Sequence, residues 1–171
     1  PSSSSPFGED CRSCWTVPED YRLVGIDASG LELRMLAHYL NDEGYTNEIL
    51  NGDIHTANQR LADLESRDQA KTFIYALLYG AGDAKLGSVV GRGRAHGKGL
   101  RQRFFDNLPS FKKLTDRVQR EAKSGFIKAL DGRRLTVRSE HAALNTLLQG
   151  AGAIVMKKGL IILDDMIRTN N

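Results

Sequence analysis

The sequence is poor in cysteine and in aromatic residues. Only two of its 171 residues are cysteines, Cys11 and Cys14, and 7% of its residues are aromatic. A chain of this length can bury a sizeable core without disulfides or a structural metal. A zinc site would need a second cysteine pair or histidines at ligand spacing, and the sequence has neither. We therefore expect two reduced, partly buried thiols in a reducing compartment.

The chain also lacks an uninterrupted apolar run of the roughly 18 residues that span a membrane. Its longest apolar-rich segment, 144–163, is interrupted by asparagine, glutamine and lysine side chains. The first residues, 1–10, lack the basic and apolar regions of a signal peptide. We therefore expect no membrane partner and a cytoplasmic location, or a fragment whose true start is missing.

Acidic residues are missing from one long stretch, although the formal net charge of the whole chain is only +3. No Asp or Glu occurs in 84–105, whose cations are Lys85, Arg92, Arg94, Lys98, Arg101 and Arg103. Such a run is typical of a surface that faces phosphates. A solvated loop or helix face would carry the same charges, so the run permits a nucleic-acid partner without requiring one.

Hydrophobic periodicity indicates a mostly helical α+β chain. The apolar run 21–26 predicts a strand that ends at Asp27, and Ser29 is the predicted N-cap of the following helix. The glycine-rich stretch 91–99 is predicted to be mobile. The other predicted elements are helices at 46–50, 54–64, 67–79, 100–107 and 110–123, a hairpin in 126–137 turned by Asp131-Gly132, and a long helix from Ser139 toward 167.

One carboxylate stands where the predicted strand meets the next helix. Asp27 would be held rigidly there, and the Ala28 carbonyl could supply a second oxygen. Oxygen ligands of this kind suit hard metal ions. The alternative from the residues alone is that Asp27 simply caps the following helix.

One face of the predicted helix 67–79 combines charge with aromatic rings. Arg67, Lys71, Tyr75 and Tyr79 are each four residues apart. Because a step of four drifts only about 40° around a helix, the four side chains share one face. Two cations followed by two rings suit a polyphosphate joined to a sugar and a base. A solvated amphipathic face is the alternative.

A polar stripe runs along the predicted long helix. His141, Asn145 and Gln149 are again four residues apart, among leucines. Amide side chains suit the acceptors on the minor-groove edges of base pairs. Internal hydrogen bonds or plain exposure would explain the stripe equally well.

Together these segments resemble the polymerase domain of family A DNA polymerases, in particular the replicative enzymes of short-tailed phages. Segment 24–34 (VGIDASGLELR) looks like motif A, and 67–80 (RDQAKTFIYALLYG) looks like motif B, the long helix of the fingers. Segments 131–134 (DGRR) and 141–150 (HAALNTLLQG) resemble those that follow in the family. The resemblance implies fingers and part of the palm of a right-hand polymerase.

The resemblance implies a role for each matching residue. Asp27 would bind metal, with Ala28 completing that site, and Asp27 and Lys71 would be catalytic. Glu32 would exclude a ribose 2′-hydroxyl while pairing with Tyr79. The other implied contacts are His55, Arg67, Lys71 and Tyr75 with the incoming dNTP, and Arg12, His141, Asn145 and Gln149 with primer-template DNA.

The implied reaction is template-directed transfer of a nucleotide to a primer 3′-hydroxyl, with two Mg²⁺ ions in the complete enzyme. The family's second metal carboxylate normally lies in a His-Asp-Glu motif, which this sequence lacks. We therefore expect an internal fragment that is inactive alone, with any processivity factor binding elsewhere. The expected boundaries are upstream palm at 1–20, motif A palm at 21–45, fingers at 46–125 with the motif B helix at 66–79, and a hairpin and helix returning to the palm at 126–171.

Two alternatives to a phage-type polymerase remain open from the sequence. The chain could be a binding module that grips DNA or nucleotides without catalysis. It could also come from a bacterial repair-type family A polymerase, although the Asp-Ala-Ser-Gly-Leu-Glu form of motif A and Tyr75 favour the phage type.

Overall fold

The computed structural model describes residues 5–169, which are mostly helical, so the expected α+β class is confirmed. The helices are α1 Gly8–Ser13, α2 Leu31–Leu40, α3 Glu43–Asn51, α4 Ile54–Ala62, α5 Arg67–Leu78, α6 Asp83–Ser88, α7 Arg94–Asn107, α8 Pro109–Ala122 and α9 Ala143–Thr169. The strands are β1 Phe126–Lys128 and β2 Arg134–Thr136, and a 3₁₀ turn, Glu140–Ala142, precedes α9.

The core forms where the apolar stripes of α2, α5, α7, α8 and the first half of α9 meet. Three phenylalanines lie near its centre. The rings of Phe73 and Phe104 are 5.6 Å apart between centroids, and those of Phe104 and Phe111 are 5.3 Å apart, both edge to face. This arrangement is the one that aromatic quadrupoles favour, and it holds α5 firmly against α7 and α8.

Helices α6 and α7 pack with their backbones unusually close. A Cβ atom on Gly97 would lie 1.9 Å from the carbonyl oxygen of Asp83, so only glycine fits there. The prediction of a mobile stretch at 91–99 is wrong for its last six residues, because α7 already begins at Arg94. Glycine lowers helix propensity, but here its missing side chain lets two helices touch. Arg101 adds an ion pair to Asp83, with 2.9 Å between Nε and Oδ1.

The predicted strand at 21–26 is wrong. These residues have no regular secondary structure, and Val24 and Ile26 are 77% and 67% exposed. A strand needs a neighbour to exchange backbone hydrogen bonds. Within residues 5–169 the only paired strands are β1 and β2, which bond to each other. The apolar composition of 21–26 favours a strand but supplies no partner for it.

Helix α2 begins without the predicted serine cap. Its N-cap is Gly30, in the left-handed region with φ 61°, so the assignment to Ser29 is wrong. The Arg34 Nε instead donates to the Ser29 carbonyl over 3.0 Å. This bond ties the loop that follows Asp27 back onto α2.

The hairpin is confirmed, with a longer connection than a two-residue turn. Strand β1 pairs antiparallel with β2, with Ile127 opposite Leu135. The Ala129 N–H donates to the Arg133 carbonyl over 2.8 Å, and Gly132 has φ 88°. A left-handed glycine is what such a turn requires.

The long helix begins later than predicted, at Ala143 rather than Ser139. One face of its first half is buried as far as Gly152, whereas Leu160, Ile161 and Ile162 in its second half are exposed. By length and composition alone, the helical segment Glu140–Thr169 could cross a membrane, a test that core helices of soluble proteins also pass. The absence of a membrane partner therefore stays a prediction.

Both cysteines are free and exposed, so the expected partial burial is wrong. Helix α1 has six residues and buries only Gly8. It therefore does not bury either cysteine, Cys11 or Cys14, against the core.

A buried hydrogen bond joins α3 to α4. The Tyr45 hydroxyl donates to Oδ1 of the fully buried Asn58 over 3.1 Å. Substituting Tyr45→Phe would leave that amide oxygen buried without a donor, which costs about 1–3 kcal/mol. We expect urea unfolding of the 171-residue chain to show this loss. Tyr21→Phe, at a 72% exposed ring, is the control and should change nothing; equal stability of the two variants would contradict the prediction.

Candidate active site

A cleft of about 360 Å³ opens between the start of α2, the turn into α4 and the exposed face of α5. Its charged and aromatic lining is Arg34, Asp53, His55, Arg67, Lys71 and Tyr75. Cations outnumber the single carboxylate in that lining. The cleft is therefore suited to an anionic ligand.

Helix α5 presents to the cleft the face that the sequence predicted. Ser66 caps the helix by accepting from the Gln69 N–H over 3.2 Å, as expected. Arg67 and Lys71 are exposed and Tyr75 is half-buried, whereas the opposite face of the helix is in the core. Tyr79, at the C-cap, is 52% exposed and does not line the cleft.

Asp53 is a central residue of the cleft that the sequence analysis missed. It caps α4 by accepting from the His55 N–H over 3.1 Å, and it also accepts from Arg67 Nε over 2.6 Å. The Arg67 guanidinium holds the pKa of the Asp53 carboxyl far below its usual range, so the carboxylate stays charged. The signal was present in GDIHT at 52–56, because an aspartate directly before a helix start is a common N-cap.

His55 lies deep in the cleft against Tyr75, with 6.2 Å between ring centroids. Burial lowers the pKa of His55, and the nearby Arg67 charge lowers it further. The imidazole is therefore neutral near pH 7, when it can donate from one nitrogen and accept at the other. Its Nδ1 is buried and has no hydrogen-bond partner within the described chain.

Glu32 bonds to a different residue from the one expected. Its Oε1 accepts from Gln149 Nε2 over 3.1 Å, and no hydrogen bond joins it to Tyr79 within residues 5–169. Burial raises the pKa of Tyr75, and the charges of Glu32 and Tyr79 raise it further. The expected Glu32–Tyr79 pairing is thus not found in the described part of the chain, where the partner of the carboxylate is Gln149 of α9.

The polar stripe of α9 is only partly continuous. His141 lies in the 3₁₀ turn before α9, whereas Asn145 and Gln149 lie on the helix itself. The His141 backbone packs against the end of α5, where a Cβ on Gly80 would lie 2.2 Å from the His141 carbonyl oxygen. Arg12 is exposed on α1 and does not line the cleft.

The loop at 27–30 borders the cleft through Ser29 and Gly30. Asp27 is exposed and Ala28 is half-buried in this loop. No group of three or more metal-ligating side chains occurs in the described part of the chain. Asp27 and Ala28 could therefore supply only part of a metal site. Arg34, which holds the loop through Ser29, is a second residue of the cleft that the sequence analysis did not single out.

Comparisons with known proteins point to one family. The family model for DNA polymerase family A matches residues 2–171. The DNA-directed DNA polymerases of Enterobacteria phage T3 and Escherichia phage T7 are each 46% identical over 98% of this chain, which spans 27% of each relative's length. DNA polymerase I of Pseudomonas aeruginosa is 27% identical over 94% of this chain and 20% of its own length.

A solved structure has the same fold. The POL domain of Pol1 from M. smegmatis, in complex with DNA primer-template and dNTP, superposes with a TM-score of 0.75 and 25% identity over 84% of this chain and 29% of that chain. The sequence is more similar to the two phage enzymes than to DNA polymerase I, which disfavours the repair-type alternative. The family match over nearly the whole sequence and the shared fold establish that the chain belongs to DNA polymerase family A.

Proposed function

We propose that this chain forms the nucleotide-binding part of a phage DNA-directed DNA polymerase. The observation that carries the proposal is the convergence of Arg67, Lys71, His55 and Tyr75 on one cleft beside the loop 27–30. Cations and rings there match the two chemistries of a dNTP, a triphosphate and a nucleoside.

The triphosphate would lie along the first turns of α5. Arg67 and Lys71 would neutralise its charge, and the neutral imidazole of His55 would donate a hydrogen bond to a phosphate oxygen. The Tyr75 ring would lie against the sugar of the nucleotide, and Glu32 and Gln149 would lie close to that sugar. Charge that develops on the leaving pyrophosphate would be stabilised by the same two cations.

The residues at 27–28 fit part of a divalent-cation site. The Asp27 carboxylate and the Ala28 carbonyl are the oxygen donors that Mg²⁺ prefers. When bound, Mg²⁺ would supply Lewis-acid polarisation of the phosphate and a more acidic primer hydroxyl. Further ligands would be needed to complete the site, because no group of three or more metal-ligating side chains is found among residues 5–169.

Primer-template DNA is the proposed macromolecular partner, along the start of α9, where Gln149 bonds to Glu32 of α2. Asn145 and Gln149 would donate to acceptors in the minor groove, and His141 and Arg12 would contact the primer-template backbone. This partner would place the protein in the cytoplasm of the host. A processivity factor would bind outside this chain.

The experiment that tests the proposal replaces the matching segment of the phage T7 polymerase with this chain. In this hybrid enzyme Lys71→Ala should lower dNTP incorporation by about 10²–10³-fold, because a cation aimed at developing charge contributes roughly 3–4 kcal/mol. Steady-state primer extension provides the measurement. Lys123→Ala, at an exposed position just after α8, is the matched control and should be neutral. Equal activity of the two variants would contradict the proposal.

A non-catalytic binding module is the second candidate. The cations of the cleft and the exposed basic residues Arg92, Arg94 and Lys98 would favour it, because they need no metal to bind phosphates. Both candidates predict that the 171-residue chain alone binds nucleotide but extends no primer, so the hybrid enzyme is needed to separate them.

A further inference from the structure

Asp53 is held by more contacts than an N-cap needs. Its Oδ1 accepts from the His55 N–H over 3.1 Å and from Arg67 Nη2 over 3.1 Å. Its Oδ2 accepts from the Thr56 hydroxyl over 2.8 Å and from Arg67 Nε over 2.6 Å. Four donors therefore fix the carboxylate, two from the first turn of α4 and two from a residue fourteen positions away on α5.

The contact uses one edge of the Arg67 guanidinium and leaves another edge free. A guanidinium carries five N–H donors in a rigid planar fork. Asp53 engages Nε and Nη2, so the Nη1 donors and the second Nη2 hydrogen stay available. Because Arg67 lines the cleft with Lys71, those free donors are available to an anion in the cleft.

We propose that Asp53 is a positioning residue, which fixes the Arg67 guanidinium so that its free edge receives the triphosphate. The inference rests on the proposed nucleotide site and adds how that site is preorganised. Asp53 acts through Arg67 and touches no substrate. The Arg67 side chain, 52% exposed, would otherwise sample many rotamers.

Removing the Asp53 carboxylate changes the affinity of the cleft for a triphosphate in two opposed ways. The Asp53 charge repels a triphosphate, but Asp53 is 42% exposed and water screens that repulsion. Without the carboxylate the long Arg67 side chain is free to move. Anion binding must then bear the entropy cost of ordering it. Because the anion takes an edge that Asp53 leaves free, the ordering effect is the larger one, and removing the charge weakens binding.

The test measures binding of inorganic tripolyphosphate to the full 171-residue chain by calorimetry. Asp53→Asn keeps the helix cap, because asparagine caps as well as aspartate, but it removes the charge and the two-point grip on Arg67. We expect about tenfold weaker binding. Asp63→Asn is the matched control, because it breaks a comparable exposed pair, Asp63 with Arg103, at the other end of α4. It should leave affinity unchanged.

A double-substitution cycle separates this role from a general effect. In an Arg67→Ala background, Asp53→Asn should have no further effect, because its only route to the ligand is gone. An equal effect in both backgrounds would overturn the proposal, as would unchanged or tighter binding by Asp53→Asn alone. Absent binding by the unsubstituted chain, or unchanged affinity in Arg67→Ala, would instead overturn the nucleotide site itself and the Asp53 role with it.

A spectroscopic readout reports the positioning directly. The Arg67 Nε–H signal in a ¹⁵N–¹H correlation spectrum should be sharp and slow to exchange in the unsubstituted chain. It should broaden or vanish in Asp53→Asn and persist in Asp63→Asn. Persistence of the signal in Asp53→Asn would overturn the proposal even if affinity fell.

Discussion

The hybrid enzyme carrying Asp27→Ala is expected to lose turnover by at least about 10³-fold. Asp27 is the only acidic residue in 21–30, so it is the only carboxylate that this segment can offer to a divalent cation. Metal-bound stabilisation of developing charge contributes several kcal/mol, and each 1.4 kcal/mol is about tenfold in rate. Single-turnover incorporation of one dNTP measures the loss.

Affinity for primer-template DNA should change little in the same variant, because the proposed DNA contacts lie on α1 and at α9. Glu19→Ala, an exposed carboxylate a few residues earlier, is the control and should retain full turnover. The two measurements together separate the candidate functions. A non-catalytic binding module would give a hybrid without turnover whether or not Asp27 is present, so an inactive hybrid, or normal turnover in Asp27→Ala, would contradict the polymerase proposal.

Local sequence rules were sufficient for the helix that carries most of the site. Helix α5 has a serine cap, a clean apolar stripe and glycines after its end, so its position and its exposed face followed from spacing alone. Its buried face packs through Phe73 onto Phe104, which keeps Arg67 and Lys71 outward. Where cap, stripe and packing agree, the prediction and the structure coincide.

Long-range contacts were beyond the reach of those rules. The Asp53–Arg67 and Glu32–Gln149 contacts join residues far apart in the chain, and neither pair has a local pattern. The strand predicted at 21–26 failed for a related reason, because strand formation depends on a partner that spacing cannot reveal. The family resemblance named four of the six charged and aromatic residues of the cleft but not Asp53 or Arg34, which hold others in place.

The glycines of α7 give the second large expected effect, on stability. A methyl group at position 97 would meet the Asp83 carbonyl oxygen at 1.9 Å and the Gly87 nitrogen at 2.4 Å, and backbone atoms cannot move aside as a flexible side chain can. Gly97→Ala should therefore force α6 and α7 apart and lower the free energy of unfolding by roughly 3 kcal/mol or more.

Gly99→Ala is the matched control in the same helix, because a Cβ there meets nothing within 4 Å. Alanine is the better helix former by about 1 kcal/mol, so this variant should be slightly more stable than the unsubstituted chain. Urea unfolding measures the free energy of unfolding of both variants. The same glycine-to-alanine change should lower it at position 97 and raise it at position 99. If both alanines stabilised the chain, α7 would not touch α6 as described.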